Sequence, residues 1–160
     1  MRNNRGFTLV ELMVTIAVLA IIASFAIPAF GDMLEKQNLK KSTEELIVVM
    51  NKARSKAVLE RRPQVKVNLA PSADAVDTEE ELNWRPSGKS VLKIGSPTTI
   101  QFGITGGVFI PDSDHPSSVS PATADTIFTI CSTNIGTNKK SKTITVSRMG
   151  TIQIITEGAC

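Results

Sequence analysis

At 160 residues, 41% of them hydrophobic and 21% charged, the chain has room for one domain with a modest core and no length for a second. A formal charge of +3 and a pI near 9.0 would suit nucleic acid or an anionic surface, but two of the cations, Arg2 and Arg5, precede a long apolar run. The 18 Lys and Arg less those two leave 16 against 15 Asp and Glu, so charge alone argues for no partner.

Residues 1–6 are short, polar and basic. From Phe7 to Phe30 the only charge is Glu11, and a helix of that run measures roughly 36 Å, about a bilayer span. Arg2 and Arg5 before it predict a cytoplasmic N terminus and a head on the far side. A plain membrane anchor and a secretory signal peptide cut after Ala26, with Ser24 and Ala26 as its small residues, both fit that pattern. Glu11 argues against both, because a carboxylate in such a run costs about 2.5–3.5 kcal/mol on insertion scales and marks a functional position with a partner.

Gly6-Phe7-Thr8-Leu9-Val10-Glu11-Leu12 resembles the class III signal of type IV prepilins and pseudopilins. The resemblance implies that a prepilin peptidase cuts between Gly6 and Phe7 and methylates the new Phe7 amine. It implies that Glu11 sets filament register by neutralising the Phe7 α-ammonium of a neighbouring subunit, a pairing that selects geometry more than it adds stability. Pro28 falls where such proteins carry a helix-bending proline and Gly31 follows, so a kink or local melting is expected near Ala26 to Gly31.

Beyond Gly31 the chain is rich in Lys, Glu, Ser, Thr and Gly. Residues 31–62 read as an amphipathic helix: Leu39, Leu46, Met50, Ala53 and Ala57 form one apolar stripe, flanked by charges that a solvated face explains. Arg61 and Arg62 suit its C terminus and Pro63 stops it. After Pro63 the period changes to two. Val65, Val67 and Leu69 mark a first strand, followed by Ser90 to Ile94, Thr98 to Phe102, Gly107 to Ile110, Thr126 to Cys131, Thr143 to Arg148 and Thr151 to Thr156. Met149-Gly150 reads as a tight turn between the last two. Ala70 to Glu81 and Pro111 to Asp125 read as surface loops. The expected fold class is α+β: a long N-terminal helix, one half transmembrane and one half amphipathic, packed on an antiparallel sheet in a β-rich head over residues 63–160, as in the pilin fold.

Cys131 and Cys160, an even count behind a membrane segment, fit an oxidising compartment and a disulfide; two unpaired thiols are the other reading. No catalytic arrangement, cofactor motif or phosphate loop is visible. His115, beside Asp112 and Asp114, reads as a turn and not as a metal site. Lys139, Lys140, Lys142 and Arg148 cluster late, as a DNA-phosphate contact or as charges that keep a sheet edge from pairing. In architecture the head is most similar to the H-type minor pseudopilin group with its FimU- and FimT-like minor pilins. DNA-binding members carry arginines on both sides of a glycine near the C terminus, and Arg148-Met149-Gly150-Thr151 has only the first. The resemblance thus implies a minor pilin in a priming or tip complex, held in the bacterial inner membrane with a periplasmic head before entering a filament. Its partners would be prepilin peptidase and other pilin subunits. A type II secretion pseudopilin and a DNA-binding pilin are the alternatives, and a disulfide closing the C-terminal region is more usual in pilins than in secretion pseudopilins.

Overall fold

The computed structural model describes residues 7–111, 118–133 and 140–160. The chain forms two compact units, one ending at Leu34 and one spanning Glu35–Cys160, and a single helix, α1 (Leu9–Leu59), contributes to both. Helical assignment is unbroken through Pro28 and Gly31, so the backbone does not melt there. One proline removes one bond of the ladder, and the turns on either side retain theirs.

In the second unit the apolar stripe of α1 is buried as its spacing requires: Leu39, Leu46, Met50, Ala53 and Ala57 all enter the core. The opposite face carries exposed pairs four residues apart, Lys40 with Glu44 and Lys41 with Glu45, each at 3.8 Å. With the lysine N-terminal to the glutamate, such pairs contribute only a few tenths of a kcal/mol, roughly 0.2–0.5. Two polar residues interrupt the stripe and are buried. Thr43 donates its hydroxyl to the Leu39 carbonyl at 2.7 Å, and Ser42 accepts the Ser87 amide at 2.8 Å. The Ser42 carbonyl also accepts the indole N–H of buried Trp84 at 3.0 Å, fixing the helix to the segment between strands.

The helix stops at Leu59, three residues before Arg62. Arg61 takes a left-handed φ of 51°, and the Arg62 amide donates back to the Ala57 carbonyl at 3.0 Å, closing the helix end. The Arg62 guanidinium then bridges Glu60, Glu79 and, at 4.0 Å, Glu80. Its hydrogen bond holds the Glu60 carboxyl below the usual glutamate range, and those to Glu60 and Glu79 raise Arg62.

Among the described residues nine strands follow: β1 (Gln64–Asn68), β2 (Glu81–Asn83), β3 (Ser90–Leu92), β4 (Thr99–Gly103), β5 (Val108–Pro111), β6 (Val119–Pro121), β7 (Thr126–Ser132), β8 (Lys140–Val146) and β9 (Ile152–Ala159). They form two sheets, β2-β1-β4-β5-β6 and β3-β7-β8-β9. All pairings are antiparallel except β1 with β2. One cluster of buried residues draws on α1 and both sheets, with Val65, Val67, Ile100 and Phe102 from one and Phe128, Ile130, Ile144 and Val146 from the other. The fold is therefore the expected α+β arrangement, a long helix and an antiparallel-rich head, with two sheets in place of one.

Two strands of three residues each, β2 and β6, fall within or at the end of stretches that the sequence marks as loops. β2 lies at the end of a predicted loop and is held on β1 by Lys66 and Glu81, 3.3 Å apart, and by the Trp84 amide on the Asn68 carbonyl. β6 lies inside the other predicted loop and ends on Pro121. β8 also starts at Lys140, earlier than Thr143, and β9 continues to Ala159, beyond Thr156. The β8–β9 turn has Gly150 at φ 76° behind Arg148-Met149, with a register shift at Thr145/Val146.

Candidate assembly site on the N-terminal helix

Gly6 lies outside the described residues, and Phe7 is the first of them, 84% exposed. α1 begins at Leu9, which makes Thr8 the N-cap and Glu11 the third helical residue. The Thr8 hydroxyl accepts the Glu11 amide at 3.2 Å and faces a Glu11 carboxylate oxygen at 3.5 Å, while the Leu12 amide donates to the Thr8 carbonyl. This is a capping arrangement on the Thr-x-x-Glu spacing, with the Glu side chain returning to the cap hydroxyl. Sequence reasoning assigned Glu11 but passed over Thr8, although the spacing was visible.

The side chains that follow are uncovered by the chain itself. Leu9, Leu12, Met13, Ile16, Leu19 and Ile22 are all more than half exposed. An 18-residue window of α1 reaches a mean hydropathy of 2.5 with none of it buried, long and apolar enough to cross a membrane by length and composition. An apolar surface of this extent is stable in water only when something covers it. Glu11 is exposed on that same unit, the one charge between Phe7 and Phe30.

In the second unit Cys131 and Cys160 are joined as a disulfide. Cys131 of β7 registers with Ser141 of β8, and Ser141 with Gly158 of β9, so the bond reaches past β8 to fasten the end of β9 to β7.

Of the late basic residues that are described, Lys140 and Lys142 lie together and Arg148 lies apart. Lys139, like His115, Asp112 and Asp114, lies outside the described residues. Lys140 and Lys142 stand at the start of β8, where Lys142 pairs with Glu157 at 3.2 Å. Arg148 lies beyond the other end of the strand, in the β8–β9 turn, where its carbonyl accepts the Val108 amide at 2.9 Å. Arg54 of α1, which sequence reasoning did not single out, directs its Nε toward the Gly106 carbonyl at 3.4 Å beside Gly150, so that two turns from different sheets meet on one helix side chain.

The description "Prokaryotic N-terminal methylation motif" matches residues 1–27. A fimbrial protein of Pseudomonas aeruginosa is 29% identical over 100 residues, covering 59% of this chain and 61% of that protein. Fimbrial protein Q of Moraxella bovis is 34% identical over 109 residues, 68% of this chain and 64% of its own length. A type IV major fimbrial protein FimA of Dichelobacter nodosus is 43% identical over 38 residues, 24% of each chain. The chain thus spans a little under two thirds of the length of these two fimbrial relatives, and alignments of 100 residues or more extend the similarity well past residues 1–27, which match the motif. No solved structure matches. An uncovered apolar helix opening on this motif, joined to an α+β head and matched by fimbrial proteins over more than half its length, makes the chain a type IV pilin-like protein.

Proposed function

We propose that the chain is a structural subunit of a type IV pilus, a minor pilin of the priming or tip complex. Prepilin peptidase cuts between Gly6 and Phe7 and the Phe7 amine is methylated. Residues 7–30 hold the protein in the inner membrane, with the head periplasmic, until neighbouring pilin subunits cover them in the filament. The observation that carries this reading is the uncovered apolar surface of the first unit, with Glu11 upon it. Outside the lipid that surface must be covered again, so packing between subunits is favoured over its exposure to water. The Glu11 carboxylate against a neighbour's Phe7 ammonium fixes the register, since a misplaced pair leaves both charges desolvated and unpartnered.

The names of the relatives, fimbrial proteins each, favour a pilus over a type II secretion pseudopilus, as does the disulfide. DNA binding is not favoured, because Arg148 lies beyond the opposite end of β8 from Lys140 and Lys142.

Glu11 both closes the helix cap and carries the charge, and three variants separate those roles. Glu11→Gln keeps an acceptor for Thr8 and removes the charge; Glu11→Ala removes both; Thr8→Val removes the cap alone. The level of each in sheared filaments is compared with its level in membranes. Register by charge requires both Glu11 variants to be depleted from filaments while Thr8→Val is incorporated. Incorporation of Glu11→Gln at the wild-type level would refute it. Deletion of the gene, scored in parallel for surface filaments and secreted enzymes, distinguishes pilus from secretion machine.

A further inference from the structure

Four lysines converge on one groove of the second unit that nothing above uses. Lys36 and Lys40, one turn apart on α1, and Lys140 and Lys142, on one side of β8, line a cavity of about 540 Å³ together with Ser141 and Glu157. Against four ammonium groups the lining holds one carboxylate, Glu157, paired to Lys142 at 3.2 Å. Lys40 has only an exposed partner, Glu44, at 3.8 Å, and among the described residues neither Lys36 nor Lys140 has an ion-pair partner. Two elements far apart in sequence are thus brought together with an excess of positive charge.

We infer that this groove binds the phosphodiester headgroup of an anionic phospholipid while the protein is in the membrane. The inference rests on the membrane stage of the proposed function. Lys36 follows Phe30, the last residue of the apolar run, by six positions, and lysines that close to a span lie in the headgroup zone, where anionic lipid attracts them. The fold adds Lys140 and Lys142, which sequence proximity would never supply. Ser141 lines the same groove, its hydroxyl donating to the Ala159 carbonyl at 3.3 Å. DNA fits less well: a polyanion needs a track of cations, and Arg148 lies eight residues from Lys140 along a strand and its turn, about 26 Å at strand spacing. The groove matches one phosphate group better than a run of them.

The test uses the full chain in nanodiscs of phosphatidylcholine or of phosphatidylcholine with phosphatidylglycerol, with limited lysine acylation read by peptide mass spectrometry. Lys36, Lys40, Lys140 and Lys142 should label about threefold or more slowly in the anionic discs. Lys52, twelve residues beyond Lys40 on α1, should not change. In the Lys36→Gln/Lys140→Gln variant, whose exposed substitutions leave the core intact, Lys40 and Lys142 should lose that protection. Equal labelling in both discs overturns the inference. So does protection in phosphatidylcholine discs by inorganic phosphate or duplex DNA that equals or exceeds that from phosphatidylglycerol. Chain that elutes apart from the discs on gel filtration refutes the membrane stage itself, before any lysine is read.

Discussion

Arg61 and Gly150 both occupy left-handed backbone, at φ 51° and 76°, yet only one of them is the residue type that conformation favours. A side chain in this region costs about 1–2 kcal/mol, which Arg61 bears in order to end α1. Its neighbour Arg62 makes the ion pairs, so Arg61→Gly forfeits none of them. Glycine gives back part of the gain through the greater freedom of the unfolded chain, and a net stabilisation of about 0.5–1 kcal/mol is expected. Thermal unfolding of the full chain in detergent should show a raised Tm; a fall would mean that Arg61 contributes something its backbone does not reveal. Gly150→Ala is the opposite case. Besides the positive φ, its added Cβ would come within 2.2 Å of the Gly106 carbonyl and 3.1 Å of the Arg54 side chain, where two turns meet. A loss of about 2 kcal/mol or more is expected, read in the same experiment, because a backbone oxygen cannot move aside as a side chain end can.

Among the elements, β9 depends most on a covalent tie. Among the described residues it is an edge strand of its sheet that pairs only with β8, in a ladder with a register shift at Thr145/Val146. The Cys131–Cys160 bond closes a loop of 29 residues, for which the chain-entropy model gives about 3–4 kcal/mol. Cys160→Ser should therefore lower the Tm and, in hydrogen exchange, release the β9 amides well before those of β7, which β3 and β8 hold on both sides. Uniform loss of protection across the sheet would instead mean that the bond stabilises the whole head and not its edge. How far these elements could be read in the sequence follows from the range of the signal. The stripe Leu39, Leu46, Met50, Ala53, Ala57 and the alternation of Val65 and Val67 are local periods, and all seven residues are buried. Period two tells which face a residue takes but not which strand lies beside it, so the division into two sheets and the parallel β1–β2 pair were not legible. The same limit applies to the lysines. Lys140 and Arg148 are close in sequence and far apart on the strand, whereas Lys36 and Lys140 are distant in sequence and share a groove.

At the scale of the whole molecule, the two units set opposite requirements. The second buries its apolar residues within itself, whereas the first leaves them open, the surface that in the proposed function lipid and then other subunits cover. Where the chain is cut decides whether that dependence persists. Cleavage after Ala26, as for an ordinary signal peptide, would leave a protein beginning at Ile27, without Glu11 or most of the apolar surface. That product would be a secreted head with nothing to assemble by. Cleavage before Phe7 removes only the polar leader and keeps the whole apolar helix with Thr8 and Glu11 at its capped start. It also creates an α-ammonium at Phe7, four positions before Glu11, the charge that the proposed register sets against a neighbour's carboxylate. Methylation adds one carbon to that amine while leaving it cationic at neutral pH, so the pairing survives the modification. The mature protein in membranes and in filaments is therefore expected to begin at N-methylated Phe7. Intact-mass measurement on both fractions, with fragmentation at the N terminus, reads the result directly. A chain starting at Ile27 would replace the filament reading with secretion of a soluble head, and a chain that keeps Gly6 in filaments would remove the Phe7 ammonium from the register mechanism.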